Sequence, residues 1–268
     1  MLRADSKGAT VQRLGRNHGA YQGEAIDIAA ILDADVRAAE AHGWQTEWLR
    51  VTDDLRLLAL RRQHLRARRR IYLSTGIHGD EPAGPLAVGQ LLETDAWPAG
   101  SDLWLCPCLN PTGFPLNRRE NAEGKDLNRE YRHPTTGEIR THIAWLERQP
   151  DFDLSLCLHE DWEAHGFYVY ELNPSGVPSL AETIVDAVAR VCPIDLSPSI
   201  EGREAHGGII RPSLDPKSRP DWPEAFHLIQ YKTRLSYTLE APSDFPLPVR
   251  VAALVAAVKA ALAALAQP

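Results

Sequence analysis

Two short stretches of the chain hold residues whose types and spacing suit metal chemistry. In Ile71-Tyr-Leu-Ser-Thr-Gly-Ile-His78-Gly-Asp-Glu81-Pro an apolar run ends in H-x-x-E, which sets an imidazole and a carboxylate at a spacing able to chelate one cation. Zinc in hydrolases takes three protein ligands from His, Glu and Cys and leaves a position for water, so a third ligand is needed from elsewhere. Asp153-Leu-Ser-Leu-Cys-Leu-His159-Glu160-Asp161 supplies it, as a second apolar run closing on a histidine. Taken singly, H-x-x-E recurs by chance and a lone histidine at a strand end is an ordinary hydrogen-bonded core residue. Together, each closing an apolar strand, they favour a metal site.

The segment between them adds positive charge. Asn110-Pro-Thr-Gly-Phe-Pro-Leu-Asn117-Arg118-Arg119-Glu-Asn121-Ala-Glu-Gly124-Lys-Asp126-Leu-Asn128-Arg129 brings three arginines close together in a loop rich in Gly and Asn. The planar guanidinium binds a carboxylate through two hydrogen bonds and also stabilises a developing oxyanion. A solvated basic loop would account for any one of these arginines but poorly for the whole ordered string.

Hydrophobic periodicity places the elements that must position these groups. Helices are expected over Glu24 to Ala41, Pro82 to Glu93, Gly137 to Arg148, Val177 to Arg190 and Leu247 to Ala266. Strands are expected over Trp44 to Val51, Leu55 to Leu60, Ile71 to Ile77, Leu103 to Leu109, Asp153 to Leu158, Phe167 to Leu172 and Leu235 to Leu239. Such alternation indicates an α/β fold, with helices on both faces of a mixed, mostly parallel sheet. Open sheets of this kind place ligands beyond the carboxyl ends of their strands, where both candidate motifs fall. The stretch Pro193 to Pro223, rich in Pro, Ser and Gly, reads as long loops rather than an interdomain linker, so one domain over residues 1–268 is expected.

Composition narrows the function classes. The 268 residues are 44% hydrophobic and 24% charged, as in an ordinary globular protein. With 29 Lys and Arg against 36 Asp and Glu the formal net charge is −7, which gives no bulk attraction to nucleic acid or to anionic membranes. Arg3, Asp5, Lys7, Arg13, Arg16 and Glu24 interrupt any apolar export signal, and Val249 to Leu265 falls short of a spanning helix and reads as a terminal helix packed on the body. Cys106, Cys108, Cys157 and Cys192 form no disulfide framework. A cytoplasmic protein with reduced thiols is therefore expected.

The ordered motifs resemble the zinc metallocarboxypeptidases, including their compact bacterial amidase members and the related succinylglutamate desuccinylase and aspartoacylase branch. The resemblance rests on H-G-D-E at His78 to Glu81, N-P-T-G-F from Asn110, R-E-N-A-E-G-K-D-L-N-R from Arg119, L-H-E at Leu158 to Glu160 and T-L-E at Thr238 to Glu240. It implies a carboxypeptidase-like fold with one zinc ion per chain, held by His78, Glu81 and His159. It further implies that Arg119 polarises the scissile carbonyl, that Asn128 and Arg129 hold a substrate carboxylate, and that Glu240 is the general base and acid. Without the other motifs Glu240 would read equally well as a surface carboxylate.

The resemblance implies hydrolysis of an amide bond near a free carboxylate in a small peptide. The runner-up is removal of an acyl group from an N-acyl amino acid, and a catalytically silent metal-binding protein is the non-enzyme alternative. The short distance between Glu81 and His159 favours the compact members. The tyrosine that closes over substrate in peptidases of the family has no good match: Tyr231 is the one loop-placed candidate, while Tyr168, Tyr170 and Tyr237 read as strand residues. His206 reads as an exposed polar loop residue. Neither side-chain preference nor oligomeric state is legible.

Overall fold

A computed structural model of the chain describes residues 12–17, 19, 21, 23–213, 215 and 220–266. Residues 1–11, on which the expectation of no export signal partly rests, lie outside the described residues. In chain order come α1 (Ile28–Ala41), β1 (Gln45–Arg50), β2 (Arg56–Arg62), β3 (Arg69–Thr75), α2 (Ala83–Glu93), β4 (Ser101–Cys106), α3 (Gly137–Glu147) and β5 (Leu154–Asp161). They are followed by β6 (Tyr168–Leu172), α4 (Ala181–Val188), β7 (Ser199–Ile200), β8 (Arg203–Glu204), β9 (Ile209–Ile210), α5 (Glu224–Tyr231), β10 (Ser236–Pro242) and α6 (Leu247–Leu265). Single 3-10 turns at Phe114–Leu116 and Leu127–Arg129 punctuate the connection from β4 to α3.

Eight strands form one sheet in the order β1-β2-β4-β3-β5-β10-β6-β9. The centre is parallel, β3 pairing with β4 and β5, and β5 with β10, whereas β1-β2, β2-β4 and β10-β6 are antiparallel. This is the mixed, mostly parallel α/β sheet expected from the alternation of elements. Its central strands are buried on both faces, as their continuous apolar runs require. One face carries α1, α2, α4 and α6, packed through residues such as Leu32, Leu91, Ile184 and Leu254. The other carries α3 and α5, through Ile139, Trp145, Phe226 and Leu228.

Tertiary contacts move several element boundaries. α1 begins at Ile28 rather than Glu24 because the Asp27 carboxylate caps it, accepting from Ala30 N at 3.1 Å. α4 is shorter than Val177 to Arg190 because Asn173 Oδ1 takes the Val177 amide at 3.0 Å and Tyr237 Oη takes that of Leu180 at 2.7 Å, so these amides serve a loop. β5 and β10 outrun their expected ends because their pairing continues to Pro242 beside Asp161. The region Pro193 to Pro223 is not loop throughout: β7 and β8 make a hairpin there, and β9 joins the sheet beside β6. α5 escaped the periodicity reading because its cap comes from a distant residue, Asn128 Oδ1, which accepts from Glu224 N at 2.8 Å.

By length and composition α6 suffices to cross a membrane, contrary to the expectation that it falls short. In the fold it packs against α2 and α4, as the expected terminal helix on the body. Its Arg250 is buried and donates to Glu160 Oε2 at 2.5 Å. All four cysteines are buried free thiols.

A buried polar network lies between the sheet and α3 and α5. Tyr72 Oη donates to Glu224 Oε1 and Ser74 Oγ to Glu224 Oε2, both at 2.8 Å. With its proton committed, Tyr72 accepts from His142 Nε2 at 2.9 Å, so His142 Nδ1 is the acceptor for Tyr131 Oη at 2.7 Å. Burial holds this imidazole neutral, its pKa pushed down to about 3.

Where α1 meets α2, one polar group is left without compensation. Asp35 is 1% exposed, its Oδ2 has no hydrogen-bond partner, and burial together with the charge of Glu93 pushes its carboxyl up to about 7. A folded-state pKa above the unfolded value means that the folded protein binds the extra proton. The contribution of Asp35 is therefore most favourable below about pH 4 and is lost as pH rises through 7. Asp35→Asn removes the charge at constant shape. It is expected to raise stability by about 1–3 kcal/mol at pH 8 and by much less at pH 5, measured by urea denaturation of variant and parent at both pH values.

Candidate functional site

The expected metal ligands converge at the carboxyl ends of adjacent parallel strands. β3 runs into the loop that carries His78 and Glu81, β5 carries His159, and Glu240 of β10 lies in register beside His159. His78 Nδ1 stands 2.5 Å from Glu81 Oε1, and His159 Nδ1 stands 3.0 Å from Glu81 Oε2. Their ligand atoms all lie within 4.8 Å of one another, and the three residues are buried. Two imidazole nitrogens and a carboxylate are a borderline-soft donor set that fits zinc. His78 Nε2 is buried without a hydrogen bond and has Asp126 Oδ1 at 3.4 Å as its neighbour, the arrangement in which an outer carboxylate orients a ligating imidazole.

Backbone contacts hold the loop in place. A Cβ added to Gly79 would meet the carbonyl carbon of Gly113 at 2.2 Å, so the H-G-D-E turn lies directly on the N-P-T-G turn. Asn110 ties the two together: its amide donates to Gly76 O at 2.8 Å, its Oδ1 accepts from Gly113 N at 2.9 Å and its Nδ2 donates to Arg119 O at 3.2 Å. The N-P-T-G motif is thus structural.

Asp126, quoted in the motif above without a role, is the junction of the site. Besides facing His78, its Oδ2 accepts from Arg119 Nε at 2.9 Å, and its Oδ1 accepts from Asn128 N at 2.9 Å, capping the turn that carries Asn128 and Arg129. Against the cost of burial, the neighbouring His78 imidazole and the charges of Arg119 and Arg129 hold the Asp126 carboxyl well below its usual range. The only local sequence signal for this role is its position before Leu127-Asn128-Arg129, where an Asp caps a helical turn.

A cleft of about 490 Å³ opens over the donors, and His78, Glu81, Arg119, Asn128, Arg129, His159 and Glu240 all line it. Arg119 places Nη1 3.9 Å from Glu81 Oε1, whereas Arg118 turns away and donates to Asn121 O. Asn128 has its Oδ1 engaged by α5, and Arg129 donates to the Asn128 carbonyl at 3.0 Å. Glu240 is partly exposed to the cleft. Desolvation by the cleft walls pushes its carboxyl well above the usual range, with His159 opposing the shift and Glu81 adding to it. Glu160, one residue past His159, accepts from Ala83 N at 2.6 Å at the start of α2 and pairs with Arg250, so it braces the strand rather than entering the metal cluster.

Sequence reasoning did not single out Tyr170, Glu201, Arg203 or Thr238 as site residues, yet each lines the cleft. Tyr231, the candidate for a closing tyrosine, is the last residue of α5, where its ring lies near Trp222 and His227, and it does not line the cleft. His206 is exposed and pairs with Glu204, as an ordinary surface residue.

Residues 67–167 match the family model described as the succinylglutamate desuccinylase/aspartoacylase catalytic domain. No curated protein matches the chain. Among solved structures, an inferred metallopeptidase from Shewanella amazonensis is 24% identical, with a TM-score of 0.75 over 87% of this chain and 91% of that one. Another from Shewanella denitrificans is 23% identical, with a TM-score of 0.75 over 89% and 90%. A metallo-carboxypeptidase from Pseudomonas aeruginosa, solved with (2-guanidinoethylmercapto)succinic acid, is 20% identical, with a TM-score of 0.63 over 88% of this chain and 67% of that one. The chain thus has the fold of metallo-carboxypeptidases. The resemblance read from its motifs is borne out by that fold and by the family match.

Asp126→Asn keeps the shape of the junction and removes its charge. It is expected to weaken divalent-metal affinity by about 10–100-fold, measured by competition with a chromogenic chelator, with little change in thermal stability.

Proposed function

We propose that the chain is a zinc-dependent hydrolase, one catalytic domain over residues 1–268, that cleaves an amide bond near a free carboxylate in a small peptide, as a metallocarboxypeptidase or amidase does. The observation that carries this reading is the convergence of two imidazoles and a carboxylate beneath a cleft that also holds Glu240 and the guanidinium groups of Arg119 and Arg129. His78, Glu81 and His159 would hold the zinc ion, which when bound acts as a Lewis acid and brings the pKa of water toward neutrality. Arg129 and Asn128 bind the substrate carboxylate. Arg119 donates to the carbonyl oxygen as negative charge builds there, held in position by its bond to Asp126. Glu240 takes a proton from the attacking water on a carboxylate oxygen and delivers it to the leaving amine, a task suited to a carboxyl whose pKa burial has raised.

A second reading, removal of an acyl group from an N-acyl amino acid, is favoured by the match of residues 67–167 to the desuccinylase and aspartoacylase catalytic domain. Both substrate classes present an amide beside a carboxylate, so the same residues serve either. A panel of dipeptides and muropeptides set beside N-acyl amino acids separates the two. Release of free amino acids from the peptides is expected, and turnover of acyl amino acids alone would replace the first reading with the second.

Metal analysis of the purified chain is expected to find about one zinc per chain. His159→Ala should lose that zinc, and full retention would overturn the ligand set. Glu240→Gln should keep the metal while turnover falls by about two to four orders of magnitude.

A further inference from the structure

The strands beneath the cleft extend it away from Arg119. β6 lies antiparallel to β10, with Tyr170 opposite Thr238 and Tyr168 opposite Glu240. Side chains alternate along a strand, so Tyr170, Thr238 and Glu240 share one face, and all three line the cleft. Arg119 is fixed through Asp126 beside the β3 loop, on the other side of the β5-β10 pair. The two flanks of the cleft therefore differ in what they offer a ligand.

On the β6 flank stands the β7-β8 hairpin. Ser199 pairs with Glu204 and Ile200 with Arg203, leaving Glu201 and Gly202 as a two-residue turn. Both have positive φ, +48° and +68°, the mirror-image turn that favours Asn, Asp or Gly at its first position. A glutamate there holds a strained backbone, and such strain persists where the surroundings fix it, often at ligand sites. Tyr170 Oη donates to Glu201 Oε2, so a neutral phenol holds the carboxylate at the cleft wall. Among the described residues no cation lies within ion-pair range of Glu201.

We propose that Glu201 is a specificity residue that accepts an ammonium group of the substrate, Tyr170 fixing its position. This rests on the reading of the cleft as an amide-hydrolase site and names its substrate class: amides that carry a primary amine in addition to the free carboxylate. The carboxylate goes to Arg129 and the amine to the β6 flank, so the substrate is matched by charge at two places in the cleft. Arg203 lines the same flank, which makes an anionic side chain the competing occupant.

Free amino acids serve as product-side probes, with affinities measured by calorimetry at low salt on the metal-loaded chain. Lysine is expected to bind at least about fivefold more tightly than norleucine, which lacks only the amine, and more tightly than glutamate. Glu201→Gln should bring lysine and norleucine to equal affinity, and Tyr170→Phe should narrow the gap by releasing the carboxylate. Equal binding of lysine and norleucine by the parent chain, a lysine preference that survives Glu201→Gln, or tighter binding of glutamate would overturn the inference. Hydrolysis without the amine preference would leave the proposed function standing, whereas the preference without hydrolysis of any amide would remove the function and keep the subsite.

Discussion

Glu81 turns one carboxylate oxygen to His78 and the other to His159, and this three-way convergence is the demand that the rest of the chain meets. Polar side chains buried this deeply cost several kcal/mol unless they are paired or hold a cation, so their mutual geometry has little slack. Two of them share one loop and the third comes from another strand. β3 and β5 must therefore be neighbours that end at the same edge, which parallel pairing provides. The loop must also bend sharply without side chains in the way, and the backbone contact between Gly79 and Gly113 meets that need. Asp126 then links the metal cluster to the groups meant for substrate, touching His78, Arg119 and the turn of Asn128.

The local sequence announces groups that act where they stand and hides those that act through folding. His78, Glu81 and His159 could be found because each closes an apolar run, and the central strands because both their faces are apolar. Asp126 was visible as a letter in a motif but not as a junction, since its partners lie far away in the chain. α5 was missed because Asn128 caps it across the fold, and the β7-β8 hairpin because two-residue strands have no period to detect. Tyr170 and Thr238 were legible as strand residues, but which strand face meets the cleft depends on the β6-β10 register. The length of α6 misled in the opposite direction, for a helix apolar enough to span a bilayer is here covered by α2 and α4.

Charge is organised at two scales. The whole chain is acidic, with a formal net charge of −7, so distant anions gain nothing by approaching it. Within a Debye length, about 8 Å at physiological salt, the local arrangement decides instead. There Arg119 and Arg129 line the cleft together with the metal donors, while Glu201 and Arg203 line it from the β7-β8 hairpin. A molecule that is neutral overall but carries separated charges meets no net repulsion on approach and finds opposite partners on arrival.

Glu160 follows His159 in β5, and its side chain therefore leaves the opposite face of the sheet. There it meets Arg250 of α6, and the same guanidinium also reaches Tyr21 and Glu24 from the segment that precedes α1. That segment is stapled a second time by Asp244, which accepts from the amides of Gly15 and Arg16 just beyond β10. Chain stretches more than two hundred residues apart are thus clasped onto the strand that carries a metal ligand. Mechanical load on either stretch would reach that ligand through the Glu160 carboxylate and through the pairing of β10 with β5, which makes the segment before α1 part of the metal site's rigidity although it contributes no atom to its chemistry.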